Sequence, residues 1–185
     1  METVSLASLW LPVLLAAVVV FSASAVIWMV IKWHDSDWKK LPDEEAARAA
    51  LKGVPRGDYT VPYAMTTEVR ASEEMQKNFD EGPMVMMTFF ASGVPNMGRQ
   101  LGLWFGYCLV VSLFIAYVLS ATTSAGAPYL QVFQVAGTVA FLTYGGSAIP
   151  ASIWFGQGWA RTFKNVADGL VYGLLTAGVF GWLWP

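Results

Sequence analysis

Four long apolar segments limit what this chain can fold into. They cover residues 9–31, 101–119, 129–149 and 166–184. A helix needs roughly 20 mostly apolar residues to cross about 30 Å of hydrocarbon. The first segment contains no charged residue, and the third is bounded by Pro128 and Pro150, where proline is well tolerated. The sequence therefore predicts an all-α membrane protein with four transmembrane helices.

Composition agrees with a membrane protein. Of the 185 residues, 56% are hydrophobic and 13% are charged, and nine are tryptophan, which collects at bilayer interfaces. The net charge of −2 gives no reason to expect a nucleic-acid partner. One cysteine and one histidine exclude the usual zinc-finger spacings and the C-x-x-C-H haem motif. Motifs of common hydrolases and nucleotide-binding enzymes are absent, so we predict neither a cofactor nor an enzyme.

A polar insertion, residues 32–100, separates the first two apolar segments and is predicted to form a small α/β unit. Acids in its first turn, later bases and a final Gly53 predict a helix over residues 42–53. Extended segments are predicted at 58–63 and 84–90, and a second helix at 72–79. A unit of this size has a thin core, so we expect it to lean on the membrane helices or on a partner.

The basic residues predict the orientation of the chain. All eleven Lys and Arg residues lie in the 32–100 insertion or between the third and fourth apolar segments. Four spans would place these two regions on the same side, and cytoplasmic loops are enriched in Lys and Arg. Both termini are therefore predicted to lie outside, with the insertion in the cytoplasm and residues 150–164 along the membrane interface.

A cleaved signal peptide is the alternative to the first span. Phe21-Ser22-Ala23-Ser24-Ala25 ends in a small-x-small pattern that a signal peptidase could cut. Cleavage would remove residues 1–25 and place the insertion outside the cytoplasm. The first residues carry no positive charge, however, and the apolar run continues to Ile31. We therefore expect an uncleaved span.

Asp168 is an acid near the start of the fourth apolar segment. An acid inside a membrane is a functional candidate by default, for example as an ion or proton site. The spacing of Asn165 and Asp168 also fits a capping box, in which Asn165 caps a helix and Asp168 bonds back to the cap. We expect the helix-start role, with an ion or proton site as the alternative.

Small residues recur every four positions in the same segment, at Gly169, Gly173, Ala177 and Gly181. Such residues form a groove that lets another helix approach closely, which is the main source of helix association in lipid. Gly102 and Gly106 form a shorter version in the second span. We expect packing within the chain, with self-association between chains as the alternative.

The only histidine, His34, lies beside two acids, Asp35 and Asp37, just after the first span. One imidazole and two carboxylates without a second histidine make a weak metal site. Tryptophans and lysines surround these residues, which is typical of an interfacial anchor. We therefore predict an anchor and no metal.

Several stretches together resemble an uncharacterised family of small bacterial four-span membrane proteins. They are Trp10-Leu11-Pro12-Val13-Leu14-Leu15, His34-Asp35-Ser36-Asp37-Trp38-Lys39-Lys40-Leu41-Pro42, Leu101-Gly102-Leu103-Trp104-Phe105 and the tail from Asp168 to Pro185. The resemblance covers most of the chain. It implies a bacterial inner membrane and no particular activity.

Three functions remain open. Abundant packing residues and little site chemistry favour a non-catalytic accessory or assembly subunit of a bacterial inner-membrane complex. The first alternative is a homo-oligomeric channel or small transporter, because the third span carries polar residues such as Gln134 and Thr138. The second is a membrane enzyme that uses His34, Asp35 and Asp37. The expected partners are the lipid bilayer and other membrane subunits or further copies of the chain.

Overall fold

The computed structural model describes residues 4–185, and most of them are helical. These residues form eight α-helices: α1 (Trp10–Ala25), α2 (Glu44–Ala50), α3 (Thr67–Ala71), α4 (Glu73–Glu81), α5 (Met97–Thr122), α6 (Tyr129–Tyr144), α7 (Ile149–Phe155) and α8 (Trp159–Trp182). Two short strands, β1 (Gly57–Val61) and β2 (Val85–Phe89), form an antiparallel pair.

Within the described part of the chain, three helical segments are long and apolar enough to cross a membrane: Leu6–Ile31, Met97–Thr122 and Tyr129–Phe155. They contain the first three predicted spans, so the expectation of a membrane-embedded helical protein is confirmed. The fourth predicted span lies in α8. Arg161, Lys164 and Asp168 in the first half of α8 make this helix more polar than the other three.

The chain divides into two compact units. The first, called the helical unit here, contains the chain up to Lys39 and Asn96–Pro185. In it α8 packs along α6 and α1, and α1 also packs along α5. Its largest fully buried side chains include Leu9, Val20, Ile115, Leu119, Val132 and Phe180. The indole of Trp104 on α5 donates a hydrogen bond of 2.8 Å to Ser24 Oγ on α1.

The second unit, Lys40–Pro95, is called the insertion unit here. Its helices begin at capping side chains: Asp43 accepts a hydrogen bond from the backbone N–H of Ala46, and Ser72 accepts one from Met75. Gly57 lies opposite Phe89 and Val61 opposite Val85 in the strand pair. This unit is shorter than the predicted 32–100 insertion, because residues 32–39 and 96–100 belong to the helical unit.

Candidate functional site

The start of α8 differs from the prediction. The sequence predicts that Asn165 caps the last helix, with Asp168 completing a capping box. The helix instead begins at Trp159, after Gly158, and runs through both residues. No proline or glycine interrupts residues 159–168, whereas Gly156 adopts a left-handed conformation with φ 67° and ends α7. The helix-start role of Asn165 and Asp168 is therefore wrong.

Asp168 is a buried acid that bonds to the only histidine of the chain. The residue is 4% exposed, and its Oδ2 lies 2.9 Å from Nε2 of His34. Its other oxygen, Oδ1, is buried and has no hydrogen-bond partner among residues 4–185. Leaving a buried carboxyl oxygen unpaired is costly, so Asp168 is a stronger functional candidate than its sequence position indicates.

His34 reaches α8 because the chain folds back after the first span. The span ends in a π-helical turn, Val26–Ile31, and Lys32 then adopts the left-handed conformation with φ 57°. The next residues form a short 3-10 helix, Trp33–Asp37. This reversal brings the imidazole of His34, which is 2% exposed, against the side of α8.

A second acid and a lysine complete the cluster. Nδ1 of His34 lies 2.6 Å from Oδ2 of Asp37, and Nζ of Lys164 donates to Oδ1 of Asp37 at 2.6 Å. The same ammonium group donates to the backbone oxygen of Trp33 at 2.6 Å and to Ser36 Oγ at 2.7 Å. We call His34, Asp37, Lys164 and Asp168 the clasp, because they fasten the 3-10 helix to α8.

Aromatic rings shield the clasp from solvent. The indole of Trp28 stacks on the imidazole of His34, with ring centroids 4.1 Å apart and planes within 4°. Trp33 meets the same imidazole edge-on, at 5.8 Å. Its side chain also lies beside the Asp168 carboxylate. The tryptophans predicted to anchor the interface therefore also cover His34, where low solvent access strengthens the hydrogen bonds of the imidazole.

The pKa of Asp37 reflects its place in the clasp. Burial acts to raise this pKa, but the hydrogen bonds from Lys164 and His34 and the nearby positive charge outweigh it. The pKa consequently lies below its ordinary value of 3.8. Asp37 is therefore an ionised acceptor at neutral pH.

The geometry fits a hydrogen-bonded link between the 3-10 helix and α8 better than a metal site. Both ring nitrogens of His34 face carboxylates, and neutral nitrogen lone pairs are what a metal needs. Asp35, the third residue of the weak metal candidate, is exposed. From Val4 to Pro185 no group of three or more His, Cys, Asp or Glu side chains is arranged to hold a metal ion. The structure brings together His34 and Asp37, and it adds Asp168 and Lys164.

The inner face of α8 stays polar beyond the clasp. Asp168, Tyr172 and Thr176 follow one another at intervals of four residues, and all three are buried. The ring of Tyr172 lies 5.5 Å from that of Tyr144 on α6. Within residues 4–185 the buried side-chain atoms without a hydrogen-bond partner are Ser112 Oγ, Tyr144 OH, Asp168 Oδ1 and Thr176 Oγ1. All four belong to the helical unit.

The glycines predicted for helix packing fall into two groups. A Cβ atom on Gly169 would lie 2.3 Å from the Cα of Gly145, and one on Gly173 would lie 3.3 Å from the backbone of α6. A Cβ on Gly181 would lie 2.7 Å from the ring of Tyr129 at the start of α6, and Ala177 is fully buried. These four residues form the contact between α6 and α8.

The shorter pattern in α5 has no such contact. A Cβ atom on Gly102 or Gly106 would meet no atom within 4 Å. Packing within the chain is therefore wrong for this pair. Contact with another chain remains a prediction for them.

No family model, no curated protein and no solved structure matches the chain.

Proposed function

We propose that this chain is a non-catalytic accessory or assembly subunit of a bacterial inner-membrane complex. The observation that carries the proposal is the apolar surface of the insertion unit. Within Lys40–Pro95, all of which the structure describes, Ala64 is the one buried hydrophobic residue. Large apolar side chains are exposed throughout this unit: Leu41, Leu51, Tyr59, Val61, Tyr63, Met65, Val69, Met84, Val85, Met86, Phe90 and Val94.

A two-stranded sheet without a buried core is only marginally stable by itself in water. Large contiguous apolar patches on a small unit mark surfaces that bind proteins or membranes. Methionines make such a surface adaptable, because their unbranched side chains fill irregular gaps. A partner subunit that covers this surface would supply the apolar contacts that the unit does not make internally.

The proposal includes four spans, with α8 as the fourth, and both termini outside. Two observations support it. The 24 residues of α8 give a length of about 36 Å at 1.5 Å per residue, and this helix packs along two of the apolar helices. All eleven basic residues then lie on the cytoplasmic side with the insertion unit.

Cysteine labelling of intact cells tests this orientation. Lys52 in the insertion unit and Ala125 between α5 and α6 are both exposed, and the native Cys108 is buried. A membrane-impermeant thiol reagent is expected to label Ala125→Cys in intact cells and Lys52→Cys only after lysis. Labelling of Lys52→Cys from outside would show that the orientation is inverted.

Purification from native membranes in a mild detergent tests the subunit proposal. We expect a second membrane protein at a fixed ratio to this chain. Phe90→Asp, at a side chain that is 83% exposed, should reduce recovery of the partner by about tenfold or more, because loss of a central interface aromatic costs about 2 kcal/mol. The matched control is Ser92→Asp, an exposed polar position two residues away, which should leave recovery unchanged.

A chain that purifies alone as a stable monomer would refute the subunit proposal. A homo-oligomer would favour the channel or small transporter instead. The feature that favours this second function is a groove of about 280 Å³ between α6 and α8, into which Gln134 and Thr138 contribute polar side chains. Gly173 also lines the groove, but a bulky residue there would disrupt the α6–α8 contact as well. Flux through a channel is better tested at Gln134 and Thr138.

A further inference from the structure

The clasp places one imidazole between two carboxylates. Nδ1 of His34 is 2.6 Å from Asp37 and Nε2 is 2.9 Å from Asp168. At these distances each nitrogen–oxygen contact needs a proton between its two atoms, since two lone pairs would repel each other. The three side chains together therefore hold two protons.

The position of the proton between His34 and Asp37 is fixed. Asp37 accepts from both Lys164 and His34, and its pKa lies below 3.8. A carboxylate so well supplied with donors keeps its charge at neutral pH. The Nδ1 proton therefore stays on the imidazole.

The proton on the Asp168 side is not fixed in the same way. Oδ2 of Asp168 shares a hydrogen bond with Nε2 of His34, and Oδ1 is buried without a partner in the part of the chain that the structure describes. The proton can lie on Nε2, giving an imidazolium and a carboxylate, or on Oδ2, giving two neutral groups. With Lys164 and Asp37 charged, the net charge of the clasp is zero in both arrangements. Loss of this proton leaves a net charge of −1 in a buried site, which is unfavourable.

We propose that the gap between Nε2 of His34 and Oδ2 of Asp168 is a proton-binding site, and that the bound proton holds the 3-10 helix Trp33–Asp37 against α8. When the proton leaves to water, no covalent bond other than N–H or O–H breaks. Two acceptor atoms then face each other at 2.9 Å, so this contact opens. The clasp is closed with the proton bound and loosened without it.

No other ionisable group of the described residues near His34 and Asp168 supplies a proton or a positive charge to their contact. Asp37 and Lys164 already bond to each other, and Trp28 covers His34 with an indole that does not titrate. α6 approaches the neighbouring Gly169 through the backbone of Tyr144 and Gly145. Along the inner face of α8 the next group is Tyr172, and beyond it lie Cys108 on α5 and the side chain of Tyr144. These are neutral hydroxyl and thiol groups.

Hydrogen–deuterium exchange of the detergent-purified full chain tests the proposal. The peptide covering residues 26–38 is compared between the native chain and Asp168→Asn, from neutral to alkaline pH. An asparagine amide can donate directly to Nε2 of a neutral imidazole, so this contact does not depend on a proton that is lost as pH rises. As pH rises, we expect the protection factor of this peptide to fall about tenfold or more in the native chain relative to the variant. A fall of this size corresponds to the loss of one hydrogen bond to a charged group.

Asp35→Asn is the matched control, because Asp35 is an exposed acid in the same turn, and it should behave as the native chain does. Equal pH dependence in the native chain and Asp168→Asn would overturn the proposal. A second measurement needs no variant. Because His34 is the only histidine, its ring nitrogens are resolved unambiguously by 15N NMR. An Nε2 that at neutral pH neither carries a proton nor accepts a hydrogen bond would also overturn the proposal.

Discussion

Gly169→Ala is expected to destabilise the helical unit by about 3 kcal/mol, the upper part of the usual range for overpacking. The added methyl carbon would lie 2.3 Å from Cα and 2.4 Å from N of Gly145, and 2.9 Å from the carbonyl carbon of Tyr144. All three atoms belong to the backbone of α6 or its end, so no side-chain rotation can relieve the overlap. α6 and α8 would have to move apart, and the clasp would move with α8.

The measurement is the midpoint of thermal or denaturant unfolding in one detergent, with Gly102→Ala as the matched control. Both glycines lie inside helices, but a Cβ on Gly102 would meet no atom within 4 Å. Alanine there should be neutral or stabilise the chain by up to about 1 kcal/mol through helix propensity. If the two variants unfold alike, the α6–α8 contact is not as close as described here.

This pair of glycines also shows what the sequence could predict about packing. The four-residue spacing at Gly169, Gly173, Ala177 and Gly181 indicated a groove, and the structure places α6 in it. The same spacing at Gly102 and Gly106 has no helix against it from Val4 to Pro185. The spacing of small residues shows which face of a helix lacks bulky side chains. It does not show which element packs against that face.

The clasp could not be predicted from local patterns because its halves lie about 130 residues apart. Two local signals were present: His34 and Asp37 are three residues apart, and Lys164 and Asp168 are four apart, so each pair shares one face of a helical turn. Two further features bring these pairs together, and residue spacing predicts neither of them. One is the chain reversal at Lys32, and the other is the start of α8 at Trp159 rather than Asn165.

His34→Ala is expected to destabilise the helical unit by about 3–5 kcal/mol, the usual cost of removing one partner from a buried charge pair. Asp37 would keep Lys164 as a donor, but Asp168 would lose its hydrogen bond to the imidazole while it remained buried. The stacked face of Trp28 would also be uncovered. Asp35→Ala is the control, and as an exposed substitution it should change stability by less than about 0.5 kcal/mol.

A double variant separates the charge effect from simple loss of packing. His34→Leu leaves the Asp168 carboxylate buried without its donor, whereas His34→Leu combined with Asp168→Leu removes both polar partners and keeps apolar volume at each site. Replacing a whole buried pair by apolar residues is often close to neutral. The double variant should therefore unfold at a higher denaturant concentration than His34→Leu alone. Additive destabilisation by the two leucines would mean that the imidazole and carboxylate do not act as a pair, since uncoupled sites lose stability independently.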